Sequence, residues 1–144
     1  MSLRYEARVA LKGVGPIAEE KQRILAIDDN ADIRELIAFI LRRENYEVTT
    51  ASNGMAGLEM IKGAKPDLII LDVVMPEFSG YDVLNAVRSD KSSKVRDIPV
   101  LMITSKSSTD DIDQALELGA TAYIVKPFRP AKLVTKVKSI LGEE

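Results

Sequence analysis

Short apolar runs alternate with segments of helical periodicity from about Arg23 to the end of the chain. Five runs have the length and composition of buried strands, at residues 24–27, 48–51, 68–71, 100–103 and 122–125. Each is followed by a segment in which apolar residues recur every three or four positions, as in an amphipathic helix. This alternation predicts an α/β protein of five strand–helix units, with a parallel sheet covered on both faces.

The predicted helices have an apolar stripe or a stop signal in the sequence. In the first helix the stripe consists of Ile33, Leu36, Ile37, Ile40 and Leu41. The other four are predicted at residues 55–62, ended by Gly63; at 81–88; at 110–118, capped by Ser108 or Thr109 and ended by Gly119; and at 131–141.

The polarity of the strands predicts their order in the sheet. The second strand is half polar, which suits an edge, whereas the first and third are wholly apolar, which suits the centre. With right-handed crossovers, this favours the doubly wound order 2-1-3-4-5 of the flavodoxin-like fold. In that order the first and third strands flank the switch point at which ligands bind.

The first 22 residues have a different pattern, in which Leu3, Tyr5, Ala7, Val9 and Leu11 alternate with mostly polar residues. We favour a flexible or cloning-derived leader for residues 1–22. The alternatives are a strand of an upstream domain, as in a hybrid sensor kinase, or a strand that adds to a sheet edge of another copy. The predicted division is a leader at 1–22, one domain at 23–142 and a tail at 143–144.

The composition excludes several classes of protein. The chain has 144 residues, 46% apolar and 29% charged, with a net charge of −2 that gives no basis for binding nucleic acid or an anionic membrane. The absence of cysteine and histidine excludes disulfides, thiolate metal sites, most zinc or iron sites and the commonest general base. With no membrane-spanning stretch and no secretory signal, we expect a cytoplasmic protein.

Acidic residues follow two of the apolar strands. Asp72 ends the third strand, and Asp28 and Asp29 end the first. One acid alone would be explained as a helix cap. If the two strands are neighbours, however, three carboxylates meet at one edge of the sheet and require a cation. Ligation by oxygen alone predicts Mg²⁺ or a similar hard ion such as Mn²⁺.

Lys126 and Thr104 follow or end two further strands. Lys126 could be an ordinary surface lysine, and Thr104 could reflect strand propensity alone. At the same edge as the acids, a lysine and a hydroxyl would instead hold an incoming anion. Together these residues predict a phosphoryl-transfer site in which Asp72 is the nucleophile. The isomer of the Lys126-Pro127 bond stays open.

At this point the chain from Arg23 to Leu141 resembles the receiver domain of two-component response regulators. The matching motifs are Ile27-Asp28-Asp29-Asn30, Leu71-Asp72-Val73-Val74-Met75-Pro76, Gly80-Tyr81, Ile103-Thr104 and Ala122-Tyr123-Ile124-Val125-Lys126-Pro127-Phe128. They stand in the right order at the ends of the predicted strands.

The resemblance implies that Asp72 accepts phosphate from a phosphohistidine of a sensor histidine kinase or phosphotransfer protein. It implies that Asp29, Asp72 and the Val74 carbonyl ligate Mg²⁺ directly, and that Asp28 does so mostly through water. A receiver of this kind is a switch rather than a turnover enzyme, catalysing only its own phosphorylation and dephosphorylation.

The resemblance also implies how the phosphate is sensed. Lys126 and Thr104 would contact the phosphoryl oxygens, and Tyr123 would turn inward as Thr104 moves, unless Tyr123 merely packs on a neighbouring helix. The output face would comprise the fourth helix, the fifth strand and the fifth helix, through which phosphorylation could drive a homodimer. The kinase partner would dock near Ile33 and Pro127-Phe128.

Two rival functions share parts of this pattern. A flavodoxin-like electron carrier has the same sheet order, but Asp28 and Asp29 would repel a flavin phosphate. A small Asp-dependent phosphatase would carry an Asp-x-Asp motif after its first strand, where this chain has Asp28-Asp29-Asn30. Within the receiver interpretation, Val74 offers no polar group to orient an attacking water, and we therefore expect slow self-dephosphorylation.

Overall fold

Five parallel strands form one sheet in the computed structural model, which describes residues 20–142. They are β1 (Arg23–Ile27), β2 (Glu47–Ala51), β3 (Leu68–Leu71), β4 (Val100–Thr104) and β5 (Ala122–Val125). Their order is β2-β1-β3-β4-β5, so the predicted doubly wound sheet is confirmed. Residues 1–19 of the predicted leader and the predicted tail at 143–144 lie outside the described residues, so the predictions made for them are not tested.

Within residues 20–142, six helices accompany the strands: α1 (Ala31–Arg43), α2 (Gly54–Ala64), α3 (Gly80–Arg88), α4 (Ser93–Arg96), α5 (Thr109–Glu117) and α6 (Pro130–Ile140). The predicted fourth and fifth helices are therefore α5 and α6. The prediction missed α4, because four residues are too few to show a helical period. The caps of α5 agree with the prediction: Ser108 accepts from the Asp111 N–H, and Gly119 has a φ of +104°.

Two details of the helix predictions were wrong. Gly63 does not end α2, because the left-handed turn is made two residues later by Lys65, with a φ of 48°. The Lys65 N–H donates to the Ile61 carbonyl, and Pro66 then prevents the helix from continuing. In α1, Leu36 is exposed, and Ala38 takes its place on the buried face.

The core consists of two layers, one on each face of the sheet. Alternate residues of β1 illustrate the division, because Ile24 and Ala26 face one layer and Leu25 and Ile27 face the other. The first layer lies under α1 and α6, and the second lies under α2, α3 and α5. Since both faces of β1, β3 and β4 are covered, polar side chains gather at the carboxyl ends of the strands.

Candidate functional site

The register of the central strands brings the acidic residues together. Ile27 of β1 is paired with Leu71 of β3, and the next residues in the chain are Asp28 and Asp72. The Asp72 N–H donates to the Ile27 carbonyl at 3.1 Å. Carboxylate oxygens of Asp28, Asp29 and Asp72 all lie within 4.8 Å of one another. The predicted meeting of three carboxylates at one edge of the sheet is therefore present in the structure.

Lys126 reaches over this edge from the end of β5. Its Nζ donates to Asp28 Oδ2 at 2.8 Å and to Asp72 Oδ2 at 3.0 Å. The two carboxylate side chains are only 3% and 8% exposed, so the group is a buried pair of acids that share one cation. The Lys126-Pro127 peptide bond, whose isomer the sequence left open, is cis.

The balance of charge in the site is negative. Burial raises the pKa of Asp28, and the neighbouring Asp72 charge raises it further, although bonds from Lys126 and the Asn30 N–H act in the opposite direction. Burial alone would lower the pKa of Lys126, but its two carboxylate partners outweigh burial and raise it. One lysine therefore does not fully compensate the buried acids, and a further cation would be stabilised there.

The raised pKa of Asp28 means that, without a bound metal ion, its ionised carboxylate lowers the free energy of unfolding. In the unfolded chain the Asp28 carboxyl loses its proton near pH 3.8, whereas in the native state it keeps the proton to a higher pH. The stability of the native state therefore falls as the pH rises through the native pKa of Asp28. We therefore expect Asp28→Asn, without divalent cations, to be more stable than wild type at neutral pH. The difference should disappear below pH 3.8. Urea unfolding of both proteins across this pH range measures it, and a less stable variant at neutral pH would contradict the prediction.

The donor set fits a hard divalent cation. Asp28 and Asp72 are buried, whereas Asp29 is exposed, so the cluster opens to solvent on one side. All of its side-chain donors are carboxylate oxygens, the ligands that Mg²⁺ prefers. The Val74 N–H donates to Asp72 Oδ1 at 3.2 Å and holds that carboxylate in position. Ligation by the Val74 carbonyl stays a prediction.

Thr104 lies at the end of β4 with no exposed surface. Its carbonyl accepts from the Lys126 N–H at 2.9 Å, which ties it to the strand end that carries the lysine. Its hydroxyl accepts from the Lys106 N–H at 3.3 Å. The structure thus places Thr104 at the same edge as the acids, and a contact with phosphate stays a prediction.

Tyr123 is linked to the segment that follows Thr104. Its hydroxyl donates to the Lys106 carbonyl at 2.6 Å, and its half-buried ring packs against the core layer under α2, α3 and α5. Burial, with the nearby Tyr81, Asp111 and Asp72, raises the pKa of Tyr123 to about 12. The phenol is therefore protonated at neutral pH and can donate the hydrogen bond to the Lys106 carbonyl.

The predicted docking residues follow residues of the site closely in the chain. Ile33 on α1 and Phe128 before α6 are half-buried against the core layer under these two helices, and Pro127 is exposed. Their role in docking a partner stays a prediction. No helix among residues 20–142 is long and apolar enough to cross a membrane.

Sequence reasoning missed the part played by two residues. Gly80 was noted only as part of a motif, yet a Cβ at this position would contact the Asp72 carbonyl oxygen and lie 2.7 Å from the Val73 Cα. Arg34 was not noted at all, although its guanidinium donates to the Asp28 carbonyl at 2.8 Å. Neither contact has a periodic signal in the sequence, because each joins different elements of the fold.

Comparisons with known proteins agree with this geometry. Residues 24–138 match the family described as the response regulator receiver domain. The chain is 36% identical over 121 residues to the DNA-binding response regulator MtrA of Mycolicibacterium paratuberculosis, covering 84% of this chain and 52% of that protein. It is 38% identical over 122 residues to the probable transcriptional regulator ycf27 of Porphyridium aerugineum, covering 85% and 49%. The chain thus spans about half the length of these curated relatives.

Solved structures give the same result. The chemotaxis protein CheY4 of Vibrio cholerae is similar with a TM-score of 0.79 and 34% identity, over 85% of this chain and 100% of that chain. A putative response regulator from Chloroflexus aurantiacus has a TM-score of 0.80 and 33% identity, over 86% and 100%. The chain therefore belongs to the response regulator receiver domain family and is a receiver domain of the two-component type.

Proposed function

We propose that this receiver accepts a phosphoryl group on Asp72 from a phosphohistidine of a sensor histidine kinase or a histidine phosphotransfer protein. The observation that carries the proposal is the environment of Asp72. Its carboxylate is buried at the end of a central strand, paired with Lys126 and close to the carboxylates of Asp28 and Asp29. An acid in this setting is costly for packing and suited to receive a group whose charge the site can neutralise.

The transfer forms a bond between an Asp72 carboxylate oxygen and phosphorus. The bond from phosphorus to the donor nitrogen breaks, and the leaving imidazole keeps the electron pair. Lys126 can bind an oxygen of the transferred phosphoryl group, because its Nζ already lies 3.0 Å from Asp72 Oδ2. Asp28, Asp29 and Asp72 would hold a Mg²⁺ ion, which would supply positive charge to offset that of the phosphoryl oxygens. The Thr104 hydroxyl is the proposed contact to one of these oxygens.

Two hydrogen bonds to the backbone of Lys106 connect Thr104 with Tyr123, and this connection supports a conformational response to phosphorylation. The Lys106 N–H donates to the Thr104 hydroxyl, and the Lys106 carbonyl accepts from the Tyr123 hydroxyl. A shift of Thr104 toward the phosphate therefore changes both bonds and frees Tyr123 to move inward. The output face comprises α5, β5 and α6, and a homodimer formed through this face is its proposed result.

The proposed partners are proteins rather than nucleic acid. Of the relatives named above, MtrA is a DNA-binding response regulator, but this chain spans about half of its length. A net charge of −2 gives the chain itself no electrostatic basis for binding DNA. We further propose that its chemistry is limited to its own phosphorylation and dephosphorylation. Turnover of a generic phosphomonoester would instead favour the phosphatase alternative.

Intact-mass spectrometry after incubation with Mg²⁺ and acetyl phosphate tests the proposal. The expected result is a gain of one phosphoryl group. A chelator such as EDTA should prevent the gain, because the buried acids would then lack their second cation. A folded protein that gains no mass in the presence of Mg²⁺ would overturn the proposed function.

A polar residue at position 74 is expected to shorten the life of the phosphorylated state. The Val74 side chain is 50% exposed and carries no group that could orient water. We expect Val74→Asn to lose phosphate several-fold faster than wild type and Val74→Ile, the apolar control, to lose it at the wild-type rate. The time course of intact mass after removal of acetyl phosphate gives both rates. Equal rates in all three proteins would count against the idea.

A further inference from the structure

Arg34 makes a contact with the acidic cluster that none of the roles above uses. It lies in the second turn of α1, is half-buried, and donates from Nη1 to the Asp28 carbonyl oxygen at 2.8 Å. That carbonyl lies just beyond the ladder of β1, which pairs with its neighbours only as far as Ile27. A carbonyl at this point needs a partner from outside the sheet.

The remaining polar atoms of Asp28 are held by other groups. Its N–H donates to the Ala51 carbonyl, Oδ1 accepts from the Asn30 N–H, and Oδ2 accepts from Lys126. Arg34 completes this set. The strand end that carries the first acid is therefore fixed on every side.

The bond from Arg34 also acts on the next acid. A peptide unit is planar, so the carbonyl of Asp28 lies in one plane with the N–H and the Cα of Asp29. Anchoring the carbonyl oxygen fixes the orientation of that plane and limits where the Asp29 side chain can point. Among residues 20–142, the Asp29 side chain makes no hydrogen bond or ion pair of its own, so its position depends on its backbone.

We propose that Arg34 is a positioning residue of the divalent cation site, which holds the Asp29 carboxylate within reach of those of Asp28 and Asp72. The inference rests on the proposed function, because it assumes that these carboxylates bind Mg²⁺. Groups that orient metal ligands without touching the metal commonly change metal affinity when they are removed. Arg34 would act in this way through the backbone.

The same helix offers a matched control. Arg42 also donates from its guanidinium to a backbone carbonyl, that of Val48 in β2, and also at 2.8 Å. Both arginines bond a carbonyl six residues away in the chain, at opposite ends of α1. Val48 is not part of the acidic cluster, whereas Asp28 is. Of the two bonds, only the one from Arg34 therefore orients backbone that carries a candidate metal ligand.

Isothermal titration of metal-free protein with magnesium chloride distinguishes a positioning role from a merely structural one. Arg34→Met keeps the apolar stem and removes the donors, and we expect it to lower the Mg²⁺ affinity by about tenfold. Arg42→Met should bind Mg²⁺ like wild type. Urea unfolding without metal should show similar losses of stability in both variants. Arg34→Lys keeps the charge and a donor and should have an intermediate affinity.

The possible outcomes separate the two claims. Undiminished Mg²⁺ binding by Arg34→Met, or an equal loss in Arg42→Met, would overturn the positioning role and leave the proposed function intact. If Arg34→Met does not fold, Arg34→Lys decides, and wild-type affinity in that variant would overturn the role. Wild-type protein that binds no Mg²⁺ would overturn the proposed function and this inference together.

Discussion

Replacement of Asp72 by asparagine or alanine is expected to abolish phosphorylation by acetyl phosphate. Asparagine has nearly the same shape as aspartate, but its amide is not a nucleophile that can form an acyl phosphate. The Lys126 Nζ would keep its bond to Asp28 Oδ2 at 2.8 Å, so we expect the rest of the site to remain folded. Intact mass after incubation with Mg²⁺ and acetyl phosphate should show no gain.

An exposed acid provides the control for Asp72. Asp113 is exposed in the middle of α5, and Asp113→Asn should gain one phosphoryl group as wild type does. Circular dichroism of each variant shows whether it is folded. A folded Asp72→Asn protein that still gains the phosphoryl mass would show that another residue is the acceptor.

A side chain at Gly80 is expected to be strongly destabilising. The first residue of α3 packs directly on the backbone that carries the nucleophile. A Cβ there would contact the Asp72 carbonyl oxygen and lie 2.7 Å from the Val73 Cα and 2.8 Å from the Asp72 carbonyl carbon. Backbone atoms cannot rotate away as a flexible side chain can, so the helix or the loop must shift. We expect Gly80→Ala to lose about 3 kcal/mol of unfolding free energy.

Gly63→Ala is the matched control, because it places the same methyl group in another helix. Apart from its chain neighbours and the backbone of its own helix, no atom of the described residues lies within 4 Å of a Cβ built on Gly63, and the residue is exposed near the end of α2. Alanine should therefore stabilise the protein by about 0.5–1 kcal/mol through its better helix propensity. Urea unfolding gives both values. Equal effects of the two substitutions would show that the contact at Gly80 does not limit packing.

The Gly80 substitution should also affect the site. The Gly80 N–H donates to the Val73 carbonyl at 2.9 Å, and Val73 follows Asp72 directly. A shift of α3 would therefore move the loop that orients the nucleophile. We expect the fraction of Gly80→Ala that remains folded to accept phosphate from acetyl phosphate more slowly than wild type, whereas Gly63→Ala should accept it at the wild-type rate.

The order of the strands and the position of the acids could be predicted because both depend on local patterns. A half-polar strand suits an edge, and wholly apolar strands suit the centre, since burial of both faces excludes polar side chains. Parallel strands in the order 2-1-3-4-5 then bring their carboxyl ends to one side. Asp28, Asp29 and Asp72 had to meet there, whatever the details of packing.

The helix boundaries were predicted less well, because competing local signals decide them. Gly63 looked like a stop signal, but a glycine can also remain helical, and Lys65 made the turn instead. Leu36 belonged to the apolar stripe by its spacing, yet it is 42% exposed, and Ala38 is buried in this helix instead.

By itself, the sequence determined the fold class, the sheet order and the residues that gather at the carboxyl edge, because hydrophobic period and strand ends are properties of short segments. Only the tertiary structure decided how Lys126 divides its bonds between Asp28 and Asp72, 98 and 54 residues away. It alone also showed the contact of Arg34 with the Asp28 carbonyl and the close approach of Gly80 to Asp72. These contacts join separate elements, and their geometry depends on how helices pack on the sheet, which no local pattern encodes.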